Sequence, residues 1–281
     1  MRARFVYSRV SGRGLSPKKI EYIVNELKKT FDEVEVCTIE TIEEGREFAK
    51  SSLPEDTLII SGGDGFFNRI ISEVARMDNP PTIGYINSGT LCDIGVNFGV
   101  KGSIKNSLKI IEEGYTKEFD AVKINNHFFF YMSATGAFSS VSYKVRQKNK
   151  RKIGRFSYYF SSLIDFFKKY HIKGVVKYDD KEISFDSPFI MCLSGKNVGG
   201  FKVNDGKIDD GIVELYLPRH GLFHGIFPII FKSKKVVILK SDKFDIVFDK
   251  KERLIKDGEL FEAESVHIEC LKKKLKIYAK R

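Results

Sequence analysis

Through roughly its first 115 residues the chain alternates between two hydrophobic periods, and this alternation limits its fold more than any other feature. The run "ARFVYS" is strand-like, Pro17 to Lys29 has helical spacing, "VEVC" is again a strand, and Ile42 to Lys50 is helical. The order continues through "TLIIS", "FNRIISEVARM" and "TIGYI". Strands separated by helices of this length imply βαβ units, because neighbouring parallel strands need a crossover between them. Residues 1–119 therefore read as an α/β domain with an open parallel sheet. After Phe119 strand-like runs follow one another with turn signals: "AVKINNHFFFYMS", "GVVKYDDKEISFD", "FIMCLSG", "IVELYLP", "VVILK", "FDIVF" and "VHIEC". That pattern predicts a mainly antiparallel, sandwich-like β domain over 120–281, with a last strand free to return to the first domain. Two helical runs interrupt it, "RFSYYFSSLIDFFKKY" and "HGLFHGIFPIIFK".

Composition narrows the partners. With 24 Phe and 12 Tyr, the 281 residues hold enough bulky side chains for two cores and leave little room for disorder. A net charge of +11 favours anions: nucleotides, nucleic acid or the anionic face of a membrane. Nucleic acid is set aside because no aromatic RNA-binding motif or zinc finger accompanies the basic residues. Cys37, Cys92, Cys192 and Cys270 are scattered without a C-x-x-C pair, which suggests reduced thiols and a cytoplasmic chain. No apolar run reaches the ~18 residues of a spanning helix, so a soluble protein that touches the inner face of the membrane is expected.

The stretch "LIISGGDGFFNRIISEV", residues 58–74, runs from strand through glycine turn to helix. In an open parallel sheet ligands sit outside the carboxyl ends of the strands, where a glycine turn lets backbone N–H groups approach a phosphate. A tight turn that merely needs positive φ is the plainer alternative. Asp64 argues for a ligand with a cation, since a carboxylate beside phosphate repels it unless a divalent ion intervenes. Neither G-x-x-x-x-G-K-[ST] nor G-x-G-x-x-G is present.

These residues resemble the catalytic domain of diacylglycerol kinases and the related bacterial lipid kinases and sphingosine kinases. "GGDGF" is similar to the family's G-G-D-G-T, "GTLCD" (89–93) to its G-T-x-N-D, and "YSRVSGRG" to its N-P-x-S-G-x-G loop. Further on, "KIDDGIVELYL" and "KDGEL" are similar to its D-D-G and D-G-E segments. The resemblance implies an NAD-kinase/diacylglycerol-kinase-like first domain and an ATP- and magnesium-dependent lipid kinase. It assigns the ATP phosphates to Ser11, Gly12, Thr41, Gly62, Gly63, Asp64, Gly65, Phe66, Asn68 and Thr90. It assigns a catalytic magnesium network to Asp64, Asp93 and Asp120, and a structural magnesium site to Asp210 with the carbonyls of Lys207 and Ile212. Asp257 and Glu259 would activate the acceptor hydroxyl. "KDGEL" also reads as an ordinary D-G hairpin turn, and Asp120 as a strand-end charge.

Two departures bear on activity: Phe66 stands where the family has threonine, and Cys92 where it has asparagine. If the threonine hydroxyl caps the helix, its loss costs about 0.5–2 kcal/mol. The phenyl ring is free to turn inward and fill core, or outward over the phosphate pocket. The aromatic run at 155–170 reads either as a core-packing helix or as the wall of an acyl-chain pocket. "KVRQKNKRK" (144–152) reads as a solvated face that also suits an anionic bilayer. His220 and His224 lie four apart with no acidic third ligand nearby, so a packing or surface role is expected for them. A non-catalytic nucleotide- or lipid-binding relative and an NAD kinase-like enzyme stay open as alternatives, and a homodimer is left open by the sequence.

Overall fold

A computed structural model of the chain describes residues 1–8, 14–88, 93–100, 103–136, 171–195, 197–198, 201–202, 206–220, 236–257 and 259–281. The helical runs at 155–170 and 221–232 and the basic run at 144–152 lie outside these, as do Ser11, Gly12, Thr90 and Cys92. The chain divides into one unit of Met1–Ala121 with Lys272–Arg281, and a second of Val122–Leu271.

The first unit follows the alternation in order: β1 (Arg2–Ser8), α1 (Pro17–Leu27), β2 (Glu33–Ile39), α2 (Ile42–Lys50), β3 (Thr57–Gly62), α3 (Asp64–Val74), β4 (Thr82–Asn87), α4 (Asp93–Asn97), α5 (Ile104–Glu112) and the start of β5 (Thr116–Ile124). β1 pairs in parallel with both β2 and β3, and β3 with β4. The central strands are apolar because both faces are covered: Phe5, Ile59, Ile60 and Ile83 are fully buried, as are Ile70 and Ile71 of α3. Local chemistry sets the helix starts. Pro17 stands at the beginning of α1, where a missing N–H costs nothing.

The second unit takes up β5 and continues through β6 (His127–Phe129), β7 (Met132–Gly136), β8 (Ile172–Tyr178), β9 (Lys181–Ser187), β10 (Phe189–Leu193), β11 (Asn197–Val198), β12 (Phe201–Lys202), β13 (Val213–Pro218), β14 (Val236–Ser241), β15 (Lys243–Lys256) and β16 (Glu259–Tyr278). Its pairs are antiparallel, and three hairpins turn on Asn125, Asp179 and Asp257, each at positive φ, as two-residue primed turns require. Pairing runs in the order β14-β13-β10-β7-β15-β16. β8 and β9 branch from this ladder at β15, and β11 and β12 pair apart from it, so the expected mainly antiparallel pairing is met by one branched sheet and a small ribbon. A register shift between Val247 and Glu252 of β15 explains it: residues before the shift pair with β8, residues after it with β7. A bulge of this kind bends the strand and lets it serve two neighbours. Phe129, Val176, Phe244 and Ile268 lie in the apolar core that results.

Candidate active site

The glycine turn closes β3 and opens α3. Gly63 is the N-cap in extended conformation, and its carbonyl accepts the amides of Phe66 and Phe67, both at 3.0 Å. The amides of Asp64 and Gly65 precede the first intrahelical bond, so the helix itself cannot satisfy them. Gly65 is exposed, and nothing lies within 4 Å of where a Cβ would stand. The Asp64 carboxylate occupies the first turn, where the helix dipole favours negative charge. The Gly62 carbonyl accepts the Ser88 amide at 3.1 Å and the Tyr85 hydroxyl at 3.2 Å, which fastens this turn to the end of β4.

Phe66 takes the inward pose. Its side chain is only 8% exposed, and a Cβ added to Gly62 would meet its Cδ1 at 2.4 Å, so the ring lies against the missing side chain of Gly62. Position 66 is the third residue of α3, so the capping role supposed for a threonine there does not apply; Gly63 is the cap. The Phe66 amide is bound to the Gly63 carbonyl, so it belongs to the helix's own hydrogen bonding. Asn68, one turn after Asp64, is buried.

Thr41 is the N-cap of α2. Its hydroxyl accepts the Glu44 amide at 3.3 Å, and the Glu44 carboxylate reaches back to accept the Glu40 amide at 3.0 Å, one residue before the cap, in a variant of the capping box. Asp93 is the first residue of α4, and α4 packs on α3. The ring of Phe98, just past α4, lies 4.3 Å from that of Phe119, beside Asp120. Asp120 is buried, and its Oδ1 accepts the Lys273 amide at 2.7 Å; Lys273 has a φ of 52°, so the carboxylate satisfies the backbone where β16 kinks. Asp64, Asp93 and Asp120 offer oxygen donors only, which fits the preference of magnesium.

In the second unit the D-G-E segment is the β15–β16 hairpin. Asp257, with a φ of 43°, is buried, and its amide donates to the Met132 carbonyl at 2.8 Å. Its Oδ2 accepts the Phe130 amide at 2.6 Å, and its Oδ1 accepts those of Tyr131 at 3.2 Å and Met132 at 2.9 Å. Three consecutive backbone amides thus converge on this one carboxylate. Burial pushes the carboxyl up to about 7, against the three amides and the Lys256 charge, which pull it down. The hairpin reading of this segment and the acidic-residue reading thus describe the same turn.

Lys256 is the participant that sequence reasoning passed over. It is buried and faces Glu259 across the hairpin, with Nζ 2.9 Å from Oε2. Its position next to the D-G-E segment was the available signal. Asp210 closes an Asx turn, accepting the Ile212 amide at 3.0 Å, with Gly211 at a φ of 79°. A cation already serves this segment: Lys240 sits 2.6 Å from Glu214, and this hydrogen bond, helped by the charges of Glu214 and Asp210, raises its pKa.

Residues 2–124 match the diacylglycerol kinase catalytic domain family. The chain is 29% identical over 222 residues to a diacylglycerol kinase of Staphylococcus saprophyticus, covering 77% of this chain and 72% of that one. It is 29% identical over 220 residues to a diacylglycerol kinase of Staphylococcus epidermidis, covering 77% and 70%. The crystal structure of a diacylglycerol kinase from Bacillus anthracis str. Sterne has the same fold, with a TM-score of 0.78 at 17% identity over 99% of this chain and 97% of that one. A second structure from that strain has a TM-score of 0.84 at 22% identity over 99% and 95%.

Proposed function

Residues 2–124 belong to the diacylglycerol kinase catalytic-domain family, and from that premise we propose that the chain is an ATP- and magnesium-dependent lipid kinase. It transfers the γ-phosphoryl group of ATP to the hydroxyl of a diacylglycerol-like or sphingoid lipid. The observation that carries this reading is the Gly62–Gly65 turn at the carboxyl end of a parallel strand, inside the matched span, with donor amides and Asp64 at the start of α3.

The turn's amides, with Ser11, Gly12, Asn68 and Thr90, receive the triphosphate. Asp64 and Asp93, backed by Asp120, are the residues that would hold magnesium, which when bound neutralises charge on the phosphates. Lys207, Asp210 and Ile212 would hold a second ion in a structural role. A lipid hydroxyl is a poor nucleophile at neutral pH. Asp257 therefore accepts its proton while the new oxygen–phosphorus bond forms and the bond to the ADP oxygen breaks. A carboxyl raised to about 7 matches a general base at neutral pH. Glu259, held by Lys256, orients the acceptor.

Among the described residues no helix is long and apolar enough to cross a membrane. The net charge of +11 suits a peripheral position on an anionic inner leaflet, which is where such an acceptor resides.

The test is phosphoryl transfer from radiolabelled ATP, with magnesium, to diacylglycerol and to a sphingoid base in mixed micelles, with NAD run in parallel. Label in either lipid is the expected result. Label in NAD alone would make the chain an NAD kinase, and ATP binding without any transfer would make it a binding relative.

A further inference from the structure

In the second unit, three side chains from separate strand ends converge on one point. His171 immediately precedes β8, Asp186 is the penultimate residue of β9, and His220 follows β13 by two residues. Asp186 Oδ1 lies 3.2 Å from His171 Nδ1 and 2.7 Å from His220 Nε2. The ligand atoms of all three residues fall within 4.8 Å of one another, and the imidazole rings stack with centroids 4.3 Å apart. We propose that His171, Asp186 and His220 form a binding site for a zinc-type divalent transition-metal ion.

The backbone builds this convergence. β8 and β9 are antiparallel with Lys173 opposite Asp186 and Ile172 opposite Ser187, so His171 stands next to the Asp186 side of the hairpin. The buried Ser187 hydroxyl bridges the Phe189 and Pro218 carbonyls, at 2.6 and 2.7 Å. That bridge ties the end of β9 to the end of β13 and delivers His220 to Asp186. Zinc–ligand bonds of about 2.0–2.1 Å put tetrahedral ligand atoms about 3.3 Å apart, so the His171–Asp186 pair at 3.2 Å already has that spacing, the His220–Asp186 pair at 2.7 Å has to open, and the exposed imidazoles have to turn their nitrogens toward the ion.

The donor set selects the metal. Two imidazoles and a carboxylate suit zinc and its first-row neighbours, whereas magnesium and calcium take oxygen ligands. Lys173 Nζ, 3.5 Å from Asp186 Oδ2, engages the other carboxylate oxygen and leaves Oδ1 directed at the imidazoles. All three side chains are partly exposed, so an ion can enter and water can complete the fourth position. The ion would pin the ends of β8, β9 and β13 to one another.

The test uses the full chain, stripped with chelator and kept in excess magnesium. Zinc is titrated calorimetrically, and cobalt(II) is added separately to read the visible absorption of a tetrahedral site. Wild type is expected to take up one equivalent of zinc. His171→Ala, Asp186→Asn and His220→Ala should each weaken binding by at least ~10-fold and lose the cobalt band. Zinc should raise the melting temperature of wild type and leave that of the variants unmoved. Melting in chelator, which should match wild type, controls for folding of the variants. No zinc uptake in excess magnesium, or uptake that any one of the three substitutions leaves unchanged, overturns the assignment.

Discussion

Replacing Asp257 with Asn separates the two forces that act on its carboxyl. Burial raises its pKa from 3.8 to about 7, while three backbone amides point at its oxygens and favour the charged form. At ~1.4 kcal/mol per pH unit, a shift of about three units corresponds to roughly 4 kcal/mol. The sign follows from proton counting. Between the unfolded value near 3.9 and about 7, the native chain holds a proton that the unfolded chain has released, so this group's contribution is complete at acid pH, falls as pH rises, and levels off above about 7.

Asn cannot ionise, so the difference in stability between wild type and Asp257→Asn isolates this group from every other carboxyl and histidine. Asn also turns an NH₂ toward one of the three amides, a pH-independent cost of ~1–3 kcal/mol. On top of that offset, wild type should lose ~2 kcal/mol relative to the variant between about pH 5.5 and pH 7 and little more by pH 8.5. Urea denaturation of both proteins across that range measures it. The turnover of wild type should climb about tenfold per pH unit up to about pH 7, and the variant should lose ~10²–10⁴ in kcat. A difference that stays flat, or that moves in favour of wild type as pH rises, would mean the amides prevail over burial. Asp257 would then be a permanently charged anchor and not the base.

Three other perturbations bear on the site. Gly62→Ala puts a Cβ 2.4 Å from Phe66 Cδ1, and should cost ~1–3 kcal/mol by thermal melting; adding Phe66→Ala, which removes the obstructing ring, should make the pair clearly less damaging than the sum of the two single changes. Glu259→Gln leaves the buried Lys256 ammonium without its carboxylate, for a loss of ~3–5 kcal/mol in urea that Lys256→Met in the same chain should largely restore. Thr41→Ala removes the α2 cap and should lower stability by ~1 kcal/mol; a KM for ATP raised several-fold would add the nucleotide to the partners of Thr41, and an unchanged KM would confine it to the cap.

What could be read from the sequence was local, and what could not depended on partners distant in the chain. The alternation that produced β1 to β4 and their helices is a nearest-neighbour signal, and so are the turns at Asn125, Asp179 and Asp257, where a pair of polar or glycine residues separates consecutive strands. The cap at Thr41 with Glu44 three residues on is equally local, and it is legible in the sequence beside the family's reading of Thr41 as a ligand. The branching of β15 was hidden because a register shift leaves no mark on hydrophobic periodicity. The histidine cluster was hidden for the same kind of reason: Asp186 is 34 residues from His220 in the chain, and only the β9–β13 tie brings it close.

Asp257 shows how the two kinds of information combine. The D-G pair fixes a two-residue turn, and Asp is one of the few residues that tolerates positive φ there. The turn points its carboxylate inward, but the amides that receive it belong to residues 130–132, more than 120 positions earlier. The sequence therefore discloses that an acid occupies the tip of the hairpin, while its basicity is set by segments that only the fold brings together. For that reason its pH dependence tests the functional reading more severely than the presence of the motif does.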